Sequence, residues 1–163
     1  MRYLIISDTH QMHMNLLETL EKLGPIDGVI HLGDAEGYEE QIKEWAGECV
    51  FHTVRGNNDT NFTLPMEQEL LIGGKKVFLT HGHRYHVYSG IESLKKKAKD
   101  VGAEIVLFGH THEPFFVVSD QITFFNPGSI SRPRQQGRIP TYGLLEIDKQ
   151  GDWHWHLCEI KKK

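Results

Sequence analysis

The stretch IVLFGHTHEP, Ile105 to Pro114, ends an apolar run at a glycine and then sets His110 and His112 two residues apart. Successive side chains of an extended chain alternate faces, so the two imidazoles can point one way and Thr111 the other. That spacing suits a pair of metal ligands, yet it is weak evidence alone, because WHWHL repeats it. There His154 and His156 alternate with Trp153, Trp155 and Leu157, the pattern of a half-buried strand with its tryptophans inward and its imidazoles outward. The company of His110 and His112 is what sets them apart. D-T-H (Asp8 to His10), G-D (Gly33-Asp34), G-N-N-D (Gly56 to Asp59) and H-G-H (His81 to His83) each follow an apolar run. Taken singly, Asp8 or Asp34 is explained as a helix N-cap, Asn57 as a turn residue, and His81 or His110 as a core imidazole. Taken together, carboxylates, an amide and imidazoles at the ends of five strands read as a divalent-metal site, since loops at the carboxyl ends of α/β strands converge on one edge. Gly33, Gly56, Gly82 and Gly109 in these segments permit turns or close approaches that a β-carbon would obstruct.

The elements that must deliver these residues are legible in the periodicity. Arg2 to Ser7 reads as a strand, and its continuous apolar run predicts burial on both faces. A helix follows, with Leu16, Leu17, Leu20 and Leu23 as its stripe and Gly24-Pro25 as its stop. Strand Gly28 to Leu32, a short helix Glu39 to Ala46 and strand Val50 to Val54 complete a β-α-β-α-β run, which favours parallel strands. After the loop Arg55 to Pro65, Glu67 to Ile72 and Lys76 to Thr80 flank Gly73-Gly74 as a hairpin. Helix Ile91 to Val101 leads into strand Glu104 to Phe108, and strands Phe115 to Ser119, Ile122 to Phe125, Tyr142 to Ile147 and Trp153 to Ile160 follow. The expected architecture is a two-sheet α/β sandwich, αββα, with its site at the carboxyl ends of the strands.

Bulk properties exclude several classes. A chain of 163 residues, 39% hydrophobic and 25% charged, is long enough for a single core, so one domain over residues 1–163 is expected. A formal charge of −4 provides no general attraction to nucleic acid or anionic membrane. Lys95 to Lys97 and the tail Lys161 to Lys163 read as solvated faces. The opening MRYLIISD holds only a strand-length apolar run, too short for a signal-peptide core or a membrane span, so a cytoplasmic protein is expected. Cys49 and Cys158 lack close pairing and read as reduced, small apolar residues.

With D-x-H, G-D, G-N, H-G-H and G-H-x-H in this order, the chain resembles the calcineurin-like metallophosphoesterases over almost its whole length. Its short length, NPGS at Asn126 to Ser129 and lack of a cap resemble the small bacterial and archaeal phosphodiesterase branch. It differs from the protein phosphatases, whose second motif continues into Asp-Arg-Gly where this chain has AEGYEE. The resemblance implies Asp8, His10, Asp34 and His112 on one divalent ion, and Asp34, Asn57, His81 and His110 on a second, with Asp34 bridging. Mixed nitrogen and oxygen ligands favour Mn²⁺, with Ni²⁺, Co²⁺, Fe²⁺ or Zn²⁺ also suited. It further implies hydroxide activated by the metals for in-line attack on phosphorus, with a small phosphodiester as substrate. His83 then serves as a donor to substrate or solvent.

Asn58 departs from the pattern, because many members carry a general-acid histidine there and an amide cannot give up a proton at useful pH. Asp59 or a metal-held water is left to protonate the leaving group. Arg132 and Arg134, in SRPR, read foremost as surface ion-pair partners and secondarily as contacts to substrate phosphate. His31 reads as core or as support for the ligands, while His13, His52 and His86 have no motif around them. The resemblance also reaches a metal-poor retromer subunit that uses this fold as a protein-interaction scaffold. A nuclease is the other alternative, although no aromatic and basic groove for nucleic acid is evident.

Overall fold

The structure is a computed structural model and describes residues 1–161; Lys162 and Lys163 of the basic tail lie outside the described residues. Its elements run β1 (Arg2–Ile6), α1 (Met14–Leu23), β2 (Gly28–His31), α2 (Glu39–Ala46), β3 (Val50–Thr53), β4 (Glu67–Ile72) and β5 (Lys75–Thr80). After two 3-10 turns come α3 (Glu92–Val101), β6 (Ile105–Leu107), β7 (Pro114–Ser119), β8 (Ile122–Pro127), β9 (Thr141–Ile147) and β10 (Trp153–Glu159). One sheet has the order β10-β9-β1-β2-β3 and the other β4-β5-β6-β8-β7. Three consecutive strands are parallel in each, β1, β2 and β3 in the first, where β3 is an edge, and β5, β6 and β8 at the centre of the second. Antiparallel strands complete the other side of the first sheet and both edges of the second.

Alternation along β1 explains the layering. Tyr3 and Ile5 face the second sheet and pack with Ile30, Leu79, Leu107, Phe125 and Leu145, whereas Leu4 and Ile6 face outward onto Leu16 of α1 and Ile42 of α2. On the far side, Phe78, Val106 and Phe124 of the second sheet pack on Leu94 and Ala98 of α3. Helix, sheet, sheet and helix therefore stack as the expected αββα sandwich, each sheet hydrophobic on both faces because each is covered on both. The Gly73-Gly74 turn joins β4 to β5 as expected, both glycines having positive φ. Trp153 and Trp155 turn onto the inter-sheet core while His154 and His156 face solvent, so that imidazole pair is an ordinary strand pattern.

Three expectations need correction. Leu17 is 37% exposed and lies off the α1 stripe, which consists of Leu16, Leu20 and Leu23. Leu157 also remains largely exposed on the edge strand β10. Several strands end one residue early, β1 at Ile6 and β6 at Leu107, because the chain turns sharply into the site loops; β8 instead continues through Asn126 and Pro127, paired with β7. Cys49 and Cys158 are unpaired and partly buried against the outer face of the first sheet. No helix among the described residues is long and apolar enough to cross a membrane.

Candidate metal centre

The parallel strands of both sheets end on one edge, where the first sheet supplies Asp8, His10, Asp34 and Asn57 and the second supplies His81, His110 and His112. Asp8 and Asp34 are not helix caps: α1 and α2 begin at Met14 and Glu39, with His13 and Tyr38 at their N-cap positions. Instead the ligand loops turn immediately. Asp8, His10, Asp34, His110 and His112 all have φ between 44° and 70°. That left-handed region is one that only glycine, asparagine, aspartate and a few others enter readily, and it swings each side chain out of the strand line into the shared edge. Backbone hydrogen bonds from Asp8 to Gly33 and from His10 to Asp34, both 3.0 Å, tie the first two loops together. Gly56 and Gly109 are required by close approach. A β-carbon on Gly56 would meet Asp34 Oδ1 at 2.0 Å, and one on Gly109 would meet Ser7 Oγ at 2.0 Å.

At the centre, Asp8, His10 and His112 bring ligand atoms within 4.8 Å of one another, as do Asp8, Asp34 and His81. Asp34 Oδ2 lies 3.7 Å from His10 Nε2 and 3.4 Å from His81 Nε2, between the two histidines. Asn57 Oδ1 is 3.1 Å from His81 Nε2, and the His110 ring stands 5.1 Å from that of His81. The seven residues expected as ligands are thus brought to one place, with His110 and Asn57 on its solvent side.

The histidines are oriented through their remote nitrogens. Nδ1 of His81 donates to Leu32 O at 2.6 Å, Nδ1 of His112 to Arg132 O at 2.6 Å, and Nδ1 of His10 to Glu36 Oε1 at 2.5 Å. All three Nε2 atoms are thereby directed inward, the arrangement that ligating histidines require. Asp34 is held by the Asn58 backbone N–H and by Asn58 Nδ2, both at 2.8 Å. Asp8 receives Ser7 Oγ at 2.5 Å and the His110 N–H at 3.2 Å on Oδ2. Its Oδ1, in a side chain with no exposure, has no hydrogen-bond partner although His112 Nε2 is 3.1 Å away. A fully buried carboxylate oxygen without a partner is costly, and a cation in reach of it removes the cost. The donor set, imidazole nitrogens and carboxylate oxygens, is one that divalent transition metals accept. The residues therefore fit the implied metals.

Electrostatics agree with that fit. Burial opposes the charged form of His81, yet Asp8 and Asp34 outweigh it and hold its pKa up at about 9. Burial likewise works against ionised Asp34, which is nevertheless held well below the usual carboxylate range by His81 and Asn58. Burial and the neighbouring His81 push His110 down to about 4 and His83 below its ordinary value. The paired carboxylates thus demand positive charge, and the outer imidazoles stand neutral with lone pairs to offer.

The remaining candidates take different places. His83 lies beside His81 and His110, with ring centroids 5.4 and 6.0 Å away, and its Nδ1 has no partner. Asp59 is buried and accepts three backbone N–H groups, from Asp34 at 2.8 Å, Glu36 at 2.7 Å and Gly56 at 2.7 Å. Arg132 and Arg134 form no ion pair with any carboxylate among the described residues, contrary to the reading of them as surface salt-bridge partners; the loop carrying them folds over the cleft. His31 is fully buried, with Nδ1 accepting from Gly33 N–H at 3.1 Å and Nε2 facing Thr9 Oγ1 at 3.1 Å, so it supports the ligand loops.

Sequence reasoning missed Glu36, whose carboxylate orients His10, and Ser129, which donates to Asp8 O at 2.8 Å. The NPGS motif was the available signal for Ser129. In the same motif Asn126 donates to Gly109 O at 2.9 Å and to Thr111 Oγ1 at 3.0 Å, bracing the G-H-T-H loop.

Comparison with known proteins follows the same line. The model of the calcineurin-like phosphoesterase superfamily domain matches residues 1–150. A probable metallophosphoesterase of Bacillus subtilis, YsnB, is 33% identical over 91% of this chain and 85% of its own length. The phosphodiesterase YfcE of Escherichia coli is 33% identical over 69% of this chain and 63% of its own. Among solved structures, an archaeal phosphodiesterase superposes with a TM-score of 0.76 at 26% identity, covering 97% of this chain and all of the other. Vps29 of Entamoeba histolytica, solved with zinc, superposes at 0.75 with 24% identity over 98% of this chain and 99% of its own, a likeness of fold.

Proposed function

Because this chain belongs to the calcineurin-like phosphoesterase superfamily, matched across residues 1–150, we propose that it is a phosphodiesterase with two divalent cations, Mn²⁺ favoured. Asp8, His10, Asp34 and His112 would hold one, and Asp34, Asn57, His81 and His110 the other. The observation that carries this reading is the buried, unpartnered Oδ1 of Asp8 among inward-directed imidazoles. A small phosphodiester substrate and a cytoplasmic location belong to the same reading.

Cations bound there supply Lewis acidity toward phosphoryl oxygens and lower the pKa of water to the neutral range. The chain's own contribution is pre-organisation: Asn58 fixes both oxygens of Asp34, Glu36, Leu32 and Arg132 fix the three rings, and Asp59 fixes the loops between them. His83, beside the rings of His81 and His110, is the candidate donor to substrate or solvent. Asn58 has no titratable proton, and both oxygens of Asp59 are occupied as acceptors, so neither side chain protonates the leaving group. Substrates with acidic leaving groups are favoured accordingly.

The test is purified protein of measured metal content, supplied with Mn²⁺, against aryl phosphodiesters, phosphomonoesters, cyclic nucleotides and nucleic acid. Aryl diesters should react fastest, and rate should fall steeply as leaving-group pKa rises. Preferential cleavage of nucleic acid would replace the reading with a nuclease, and no hydrolysis by protein holding two Mn²⁺ ions would overturn it.

A further inference from the structure

A cleft of about 690 Å³ opens directly over His10 and His112, and its outer wall carries Arg132, Arg134 and Arg138. Glu36 is the one carboxylate in that lining, and it is engaged by His10 Nδ1 at 2.5 Å and Gln11 Nε2 at 3.1 Å. None of the three arginines forms an ion pair among the described residues. Three guanidinium groups in one cleft without a counter-charge repel one another unless an anion joins them.

The loop that bears them is stitched to the ligands on both sides. Ser129 Oγ accepts the N–H of Arg132 at 2.7 Å while donating to Asp8 O at 2.8 Å. Arg132 O accepts His112 Nδ1, and the Arg134 N–H donates to His112 O at 3.1 Å. Arg134 Nη1 also donates to the Tyr88 hydroxyl, which in turn donates to His110 O at 3.1 Å. The backbone of Arg132 and Arg134 is therefore held beside the ligand loops, and Arg138 lines the same cleft.

We propose that Arg132, Arg134 and Arg138 form an anion-binding rim that selects phosphoesters bearing a second phosphate beside the one to be cleaved. The inference rests on the phosphodiesterase reading. A simple diester carries one negative charge, which the ligand-held cations are placed to meet, so the rim is matched to charge beyond the scissile group. Guanidinium forks are the side chains suited to phosphate oxygens, through paired charge-assisted hydrogen bonds.

The p-nitrophenyl ester of thymidine 5′-phosphate, with and without a 3′-phosphate, provides two diesters with one leaving group. With Mn²⁺-loaded protein, the 3′-phosphorylated ester should have a KM lower by ~10-fold or more, as expected for added charge-assisted bonds that act equally in ground and transition states. In the variant R132Q/R134Q/R138Q that KM ratio should fall toward one, whereas a merely structural defect would burden both esters alike. Calorimetry provides a reading independent of turnover: pyrophosphate should bind the loaded wild type at least ~10-fold more tightly than the triple variant. Equal KM values for the two esters in the wild type, or pyrophosphate affinity unchanged in the variant, would overturn the rim. If neither ester is hydrolysed, the phosphodiesterase reading fails, and pyrophosphate binding alone then decides the rim.

Discussion

At the residue scale the site is a set of side chains each held by a second group, and the loss of different ones should have different signatures. Asp34 Oδ2 lies between His10 and His81, whereas His83 touches the set only from outside. Asp34→Asn should therefore strip metal and lower kcat/KM by ~10²-fold or more, and His83→Ala should retain metal and cost less, given that outer partners of ligands contribute ~10- to 100-fold. Metal content and kinetics of both variants check this; equal metal loss would make His83 a ligand. His31 supplies a prediction of pH dependence. Burial, the largest influence on it, drives its pKa from 6.5 down to about 4, so the fold holds the ring neutral. Its contribution to stability is complete above the unfolded value and is lost as pH falls through the window from 6.5 to about 4. Between pH 7 and pH 5 the metal-free protein should lose on the order of 1–2 kcal/mol through this group, a loss absent from His31→Gln. Denaturant midpoints at the two pH values measure it, and a ring found by NMR to titrate at its ordinary pKa would refute it.

At the scale of elements, the loops after β2 and β3 act as one unit because Asp59 gathers three of their N–H groups. Asp59→Ala should destabilise the protein by roughly 3 kcal/mol, since it orphans buried donors that were bonded to a charged acceptor. The effect on turnover should be uniform across leaving groups. Urea unfolding combined with a leaving-group series distinguishes this from a general acid, whose loss would penalise poor leaving groups selectively. Gly56 belongs to the same unit, and its place against Asp34 Oδ1 explains why the G-N-N-D loop starts with glycine.

At the scale of the whole molecule, the centre lies on the seam between two sheets, with Asp8, His10 and Asp34 on one side and His81 and His112 on the other. Metal binding therefore joins the two halves of the sandwich, and it should stabilise the fold as well as enable turnover. Chelated protein should be inactive and regain activity with Mn²⁺, Ni²⁺ or Co²⁺ but poorly with Ca²⁺, which prefers all-oxygen ligand sets. Mn²⁺ at a hundredfold excess over its Kd adds about 2.7 kcal/mol, so Tm should rise on the order of 5 °C. Differential scanning calorimetry with and without metal checks this, and full turnover after exhaustive chelation would contradict it.

The order of motifs along the chain was enough to reach the two-sheet fold and the seven residues that meet at its edge. Strand-end placement is a local property, set by apolar runs and the polar residues that follow them, and one-dimensional information carries it. The tertiary structure alone decided which groups stand behind those seven. Glu36 behind His10, Ser129 behind Asp8 and the Arg132 carbonyl behind His112 are contacts across sequence separations that periodicity does not encode. It also showed that Asp59, a candidate acid in the sequence, accepts three backbone N–H groups, because which donors reach a carboxylate is a tertiary matter. Arg132 and Arg134 show the same division: their charge was visible in the sequence, but their freedom from ion pairs among the described residues and their place over the ligands arise only when β9 returns the chain beside β1.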